Sequence, residues 1–289
     1  MSSVKEPEKS EGAEVLKKRG YSMFVPLDSG GQGNVYKTTK NKVTFAAKVV
    51  HIDSNDKNLD DDLKRELTII RNVKHPNCIR VEDMFRTKHK VYIIMDFMPN
   101  KSIGDEVDTK GPICEWKGKL YFAQISSAIK YLHRHNIAHR DLKLDNVLLD
   151  ANYNAKVCDF GFSRFVPKDA KTGQIRKSKS YVGTPSYEPP EVVSHTPYDP
   201  YKCDVWCLGV CLFIILNYEY PFNGDDPKET LLEKQNKRQY TLQKTIDKKL
   251  SQLAKDLIRK LLEPNPNQRI SITDVYYPIV RSEGDRAGT

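Results

Sequence analysis

The sequence predicts an α+β chain in two lobes, with a β-rich first third and a mainly helical remainder. Short β-branched and aromatic runs surround a glycine cluster in residues 21–50, the pattern of strands joined by turns. After Gly111-Pro112 the apolar residues recur at helical spacing. No internal repeat or long low-complexity linker interrupts the 289 residues, whose 38% hydrophobic and 29% charged content suits a large buried core.

Taken in order, residues 1–20 mix charges, hold few apolar side chains and read as a flexible tail. Leu59, Leu63, Leu67 and Ile70 place a helix over 59–72. A strand pair follows and ends in Val91-Tyr92-Ile93-Ile94-Met95. Tyr121, Ile125, Ala128 and Leu132 mark a long amphipathic helix. Strand-like pieces at 147–149 and 156–158 precede a basic, Ser-rich stretch over 164–180, and the whole segment 159–191, when unmodified, is expected to be mobile and self-repelling. Helices resume near Tyr201 and run to about Val280.

The longest apolar run, 205–216, is shorter than the about 20 residues of a bilayer span. The N-terminus lacks the apolar stretch of a signal peptide, so the expected location is cytoplasmic. Six scattered cysteines without a CxxC pair argue for thiols over a disulfide frame. Cys203, Cys207 and Cys211 share one helix face, where small buried side chains are favoured over a zinc site. The net charge of +9 fits either an anionic ligand or a solvated lysine-rich surface. No nucleic-acid recognition module accompanies it.

The chemistry begins at Asp28-Ser29-Gly30-Gly31-Gln32-Gly33-Asn34-Val35. Such a cluster is either a plain hairpin turn or a cradle whose backbone N–H groups approach phosphates. In Phe45-Ala46-Ala47-Lys48-Val49-Val50, alternation puts Lys48 on an apolar face with Ala46 and Val50. Glu66 points inward with Leu63, Leu67 and Ile70. Two inward charges of opposite sign predict a pair, the alternative being two unrelated snorkelling side chains. His139-Arg140-Asp141-Leu142-Lys143-Leu144-Asp145-Asn146 and Asp159-Phe160-Gly161 then bring two carboxylates and an amide, hard oxygen ligands suited to Mg²⁺ beside phosphates.

With these motifs in order, residues 21–280 resemble a eukaryotic protein kinase. The resemblance implies a bilobal fold, with an N-lobe over about 21–95, a C-lobe over about 100–280, and a tail at 281–289. It implies ATP and Mg²⁺ as cofactors, with Leu27, Gly30, Gly31, Gly33, Val35, Ala46, Met95, Asp96, Met98 and Leu148 around the nucleotide. Lys48 would hold the α/β-phosphates and Glu66 would orient it. Asp141 would accept the proton of the substrate hydroxyl, Lys143 would steady the γ-phosphate, and Asn146 and Asp159 would bind the metal. Phe160, His139, Ile70 and Val81 would stack, with Asp204 as anchor, and Glu191 would pair with Arg269.

Three features depart from the family pattern. Asp28 replaces the first glycine of the loop, Glu188-Pro189-Pro190-Glu191 stands where Ala-Pro-Glu is usual, and Ser102 follows the hinge where many basic-directed kinases carry an acid. Lys143 with Gly183-Thr184-Pro185 resembles the serine/threonine class. The stretches 91–95, 198–206 and 265–269 resemble the calmodulin-dependent kinase group, and within it the testis-specific serine kinase family. The expected partners are protein substrates with Ser or Thr acceptors, and an activating kinase or a second copy acting in trans on Ser180. Neither nucleic acid nor membrane is expected, and the chain is read as a monomer. The rival reading is a pseudokinase, the same fold serving as a binding scaffold.

Overall fold

A computed structural model describes residues 11–30, 33–52, 57–169 and 171–275. Gly31, residues 1–10, the end of the last helix towards Val280 and the tail at 281–289 lie outside the described residues, as do the side chains of Asp28, Leu59 and Leu63. The chain divides into two compact units. One comprises the residues through Lys74 with Ile79–Pro99, the other His75–Cys78 with the chain from Asn100 onward.

The first unit opens on α1 (Glu11–Lys18), where the composition predicts only tail. The helix forms because Leu16 has somewhere to go. It is 3% exposed and seats in an apolar cluster with Tyr21, Phe45, Ala47, Val49, Phe85, Tyr92 and Ile94, against which Val15 also packs. Arg19 adds a cation over the Phe85 ring at 4.0 Å and an ion pair with Asp83 at 3.3 Å.

Behind that cluster stands an antiparallel sheet in the order β1-β2-β3-β5-β4, from β1 (Ser22–Gly30), β2 (Gly33–Lys40), β3 (Val43–His51), β4 (Val81–Arg86) and β5 (Lys90–Asp96). Strand periodicity sorts β3 between two faces. Phe45, Ala47 and Val49 enter the apolar cluster, which leaves Lys48 to the other face with Ala46 and Val50. Between β3 and β4, α2 (Lys57–Asn72) carries buried Glu66, Ile69 and Ile70.

The second unit is mainly helical, as predicted. It runs α3 (Ile103–Lys110), α4 (Glu115–Arg134), β6 (Ile137–Ala138), β7 (Val147–Leu149), β8 (Ala155–Val157), β9 (Arg164–Phe165), α5 (Pro190–Val193), α6 (Pro200–Asn217), α7 (Lys228–Asn236), α8 (Lys244–Asp247) and α9 (Gln252–Leu261). By length and composition α6 could cross a bilayer, yet 89% of it is buried in the fold, where it is the core helix. Cys203, Cys207 and Cys211 are among its buried residues. At Gly209 a Cβ would lie 2.8 Å from Leu261 and 2.9 Å from Leu262, so only glycine lets α6 approach the end of α9 this closely.

The basic stretch after β9 makes specific hydrogen bonds. Asp169 accepts from the Lys171 and Thr172 backbone N–H groups at 3.0 and 2.8 Å, closing a turn. Ser178 and Tyr198 exchange backbone hydrogen bonds at 2.8 and 3.0 Å. Exposed Lys177 and Lys179 flank Ser178, so this backbone pairing is made without burying their charge.

Glu106 ties α3 to α4. It is 7% exposed and accepts from Lys117 Nζ at 2.6 Å, Lys110 Nζ at 2.9 Å and the Tyr121 hydroxyl at 2.7 Å. Burial pushes its carboxyl up, but these three donors outweigh burial and carry it down to about 2. A depressed folded pKa stabilises the protein above the ordinary glutamate range, and that contribution is lost as pH falls towards 2. Glu106→Gln should therefore cost roughly 1–2 kcal/mol at neutral pH and flatten the fall in melting temperature between pH 5 and 3. Melting curves over that range check it, and equal slopes for the two proteins would contradict it.

Candidate active site

Each unit carries its own part of the predicted machinery. In the first, Lys48 Nζ lies 3.3 Å from Glu66 Oε1, with both side chains largely buried. β2 puts Val35 opposite Lys48, and β5 puts Met95 opposite Ala46. Gly30 pairs with Gly33 where β1 meets β2. Gly33 has φ of 122°, and a Cβ there would fall 2.5 Å from the Val49 carbonyl oxygen, so no other residue fits. Leu27, by contrast, is 45% exposed.

At the end of β5, Asp96 is held through both its groups. Its N–H donates to the Arg80 carbonyl at 3.0 Å, and its carboxylate receives Arg80 Nη2 at 2.8 Å and Nε at 3.1 Å. Met98, just beyond, is half-buried. Ser102, singled out as a departure, is a helix cap. Its hydroxyl accepts from Asp105 N at 2.9 Å, and Asp105 Oδ2 accepts in return from Ser102 N at 2.9 Å.

In the second unit the loop after β6 gathers Asp141, Lys143 and Asn146. Asn146 Nδ2 donates to the Asp141 carbonyl at 2.8 Å and to Asp141 Oδ2 at 3.1 Å. Lys143 Nζ is 3.6 Å from Asp141 Oδ2. Sequence reasoning used Thr184 only as a class marker, yet it completes this group. Its hydroxyl donates to Asp141 Oδ1 at 3.0 Å and accepts from Lys143 Nζ at 3.0 Å. The buried Asp141 carboxylate is thus held in one orientation beside an ammonium, by an amide and a hydroxyl.

The loop owes its shape to α6. Asp204, fully buried, accepts from the backbone N–H of His139 at 2.9 Å and of Arg140 at 2.8 Å, and from His133 Nε2 at 2.8 Å. Burial pushes its carboxyl up, but the His133 hydrogen bond, the neighbouring His133 and His139 rings and the Arg140 N–H hold it below the usual carboxylate range. His133 had no sequence signal beyond its place in the last turn of α4.

His139 Nε2 donates to the Cys158 carbonyl at 3.0 Å, and its ring lies 5.6 Å from that of Phe160. Arg140 and Asp159 hold φ of 69° and 59°, strained positions for residues with side chains. Asp159 Oδ1 accepts from its own loop at Gly161 N, 3.3 Å away. Leu148, half-buried on β7, pairs with Lys156 and bridges to Ser102.

The segment leading to α5 is anchored by a buried bidentate pair. Arg269 Nη1 and Nη2 donate to Glu191 Oε1 and Oε2 at 2.7 and 3.0 Å. Earlier in that segment, Arg140 Nη2 donates to Ser180 Oγ at 3.0 Å and to its carbonyl at 3.1 Å. Arg140 Nε is buried with no partner among the described residues.

A family model described as the protein kinase domain matches residues 21–277. Testis-specific serine/threonine-protein kinase 1 of Homo sapiens is 33% identical over 270 residues, 92% of this chain and 72% of the relative. Testis-specific serine/threonine-protein kinase 2 of Mus musculus is 32% identical over 270 residues, 92% and 74% of the two chains. CBL-interacting protein kinase 21 of Oryza sativa subsp. japonica is 33% identical over 273 residues, 93% of this chain and 50% of the relative.

Asp204→Ala would strand two buried backbone N–H groups and His133 at once. The expected cost is about 3–5 kcal/mol, with amide exchange of residues 139 and 140 faster than in the parent. Chemical denaturation and hydrogen exchange measure the two effects. Unchanged protection at both amides would show that another group holds the loop.

Proposed function

This chain belongs to the protein kinase family, among the serine/threonine kinases, and we propose that it transfers the γ-phosphate of ATP to Ser and Thr hydroxyls of protein substrates. The observation that carries this reading is the Asp141–Lys143–Asn146–Thr184 group. When bound, Mg-ATP supplies a transferable phosphoryl group and a divalent charge to neutralise it. Each unit by itself offers groups of the kind that ligand takes. Asn146 and Asp159 offer hard oxygens, Lys48 a largely buried ammonium, and Gly33 a backbone without a side chain.

In this reading Glu66 keeps the Lys48 ammonium extended towards the phosphates. Asp141 receives the proton leaving the acceptor hydroxyl. Asn146 and Thr184 hold that carboxylate in one orientation, and Lys143 balances the charge that builds at the γ-phosphate. Asp141→Asn keeps the shape and removes the base, so phosphoryl transfer should fall by a factor on the order of 10² or more with nucleotide affinity little changed. Autophosphorylation of the parent protein with Mg-ATP separates an enzyme from a scaffold of the same fold. An unlabelled parent protein would refute the enzymatic reading.

We further propose activation by phosphorylation of Ser180. Support comes from Arg140, whose guanidinium already reaches Ser180 Oγ and keeps a buried Nε without a partner among the described residues. A phosphate there adds a charge near −2 and about one to three charge-assisted hydrogen bonds. Ser178 is the poorer acceptor, since its backbone is paired with Tyr198 and its hydroxyl accepts from Ser180 N at 3.2 Å. Ser180→Ala should lose most peptide-kinase activity and Ser178→Ala should keep it. Full activity in Ser180→Ala would place control elsewhere.

A further inference from the structure

Glu188 has no part in the chemistry above, yet the fold holds it firmly. Its N–H donates to the Pro185 carbonyl at 3.1 Å, and its own carbonyl accepts from Gln235 Nε2 at 2.8 Å. On one side Tyr187 is buried, its carbonyl accepting from Cys207 Sγ at 3.3 Å; on the other, Pro189 and Pro190 fix the chain. The Glu188 side chain is therefore presented by a backbone that cannot turn away.

That side chain is half-buried and lies along Gly183. A Cβ built on Gly183 would meet Glu188 Oε1 at 3.8 Å and Cγ at 3.9 Å. Gly183 is exposed and directly precedes Thr184, the residue bonded to Asp141 and Lys143. The carboxylate thus lies beside the exposed residue that immediately precedes Thr184.

Its lack of a cation sets it apart. Among the described residues every other buried or half-buried glutamate has a Lys or Arg partner: Glu66 with Lys48, Glu106 with Lys110 and Lys117, Glu115 with Lys119, Glu191 with Arg269, and Glu263 with Arg238. Glu188 has no side-chain hydrogen bond and no ion pair among those residues. Burial alone raises its pKa, with no basic group opposing. A half-buried carboxylate left without a counter-charge is costly and gains when a ligand supplies one.

We propose that Glu188 receives a lysine or arginine side chain of the protein substrate, at a position flanking the hydroxyl that is phosphorylated. This rests on the kinase reading above, and it adds a specificity-determining residue to that reaction. The rigid backbone around Glu188 lets the ion pair form without reordering the enzyme, so the selection falls on substrate charge.

The test uses serine peptides that differ only at the residues on either side of the acceptor, carrying lysine, norleucine or glutamate. At one of the two positions lysine should be favoured over norleucine by about ten- to a hundredfold in kcat/KM, less so as salt is raised. Glu188→Gln should bring that ratio to about one, and Glu188→Lys should make glutamate the preferred residue there. Fluorescence anisotropy with the same peptides reads the ranking without turnover. A ranking present in binding with no transfer by the parent would fault the kinase reading and leave this inference standing. Equal use of lysine and norleucine at both positions, or a lysine preference that survives Glu188→Gln, overturns it.

Discussion

One buried carboxylate organises the catalytic half of this molecule. Asp204 sits fully enclosed on α6 and spends its lone pairs on two consecutive backbone N–H groups and an imidazole. Charge in such a place is tolerated only when it is well hydrogen-bonded, and here both carboxylate oxygens are engaged. Because His139 and Arg140 are fixed, Asp141 emerges from the loop in one orientation. The same helix holds Tyr187 through Cys207, pairs Lys202 and Arg269 through each other's backbone carbonyls, and admits α9 at Gly209. The loop after β6, the segment before α5 and the end of α9 are all registered against one rod.

Much of this was legible in the sequence because its signals were chemical as well as periodic. Alternation in β3 forced Lys48 out of the Phe45–Ala47–Val49 face, and helical spacing aimed Glu66 inward, so their pairing at 3.3 Å follows from two independent patterns. The gathering of Asp141, Lys143 and Asn146 follows from their nearness in one loop. Glu191 and Arg269 lie far apart in sequence, and only the family resemblance paired them before the fold did.

What escaped depended on contacts with no local signature. Thr184 carries a hydroxyl like many others, and its place beside Asp141 arises from a loop that returns 43 residues later. Low overall hydrophobicity hid α1, since one well-seated leucine decides the matter and an average over 20 residues dilutes it. The backbone pairing of Ser178 with Tyr198 in the basic segment is another contact that charge counting cannot see. Glu188 stood out only as part of a departure from Ala-Pro-Glu, because a sequence shows that a carboxylate is present and never that it lacks a partner.

The seat of Leu16 also separates two kinds of boundary. Similarity to the protein kinase family begins at Tyr21, but the cooperative unit begins earlier, since Leu16 and Val15 pack on Tyr21, Phe85 and Tyr92. A fragment trimmed to the edge of the similarity would uncover a greasy depression on the back of the sheet, next to the stacked Phe85 and Tyr92 rings. Such a surface invites self-association. The covering of that surface falls to a decapeptide, residues 11–20, that carries none of the candidate site residues.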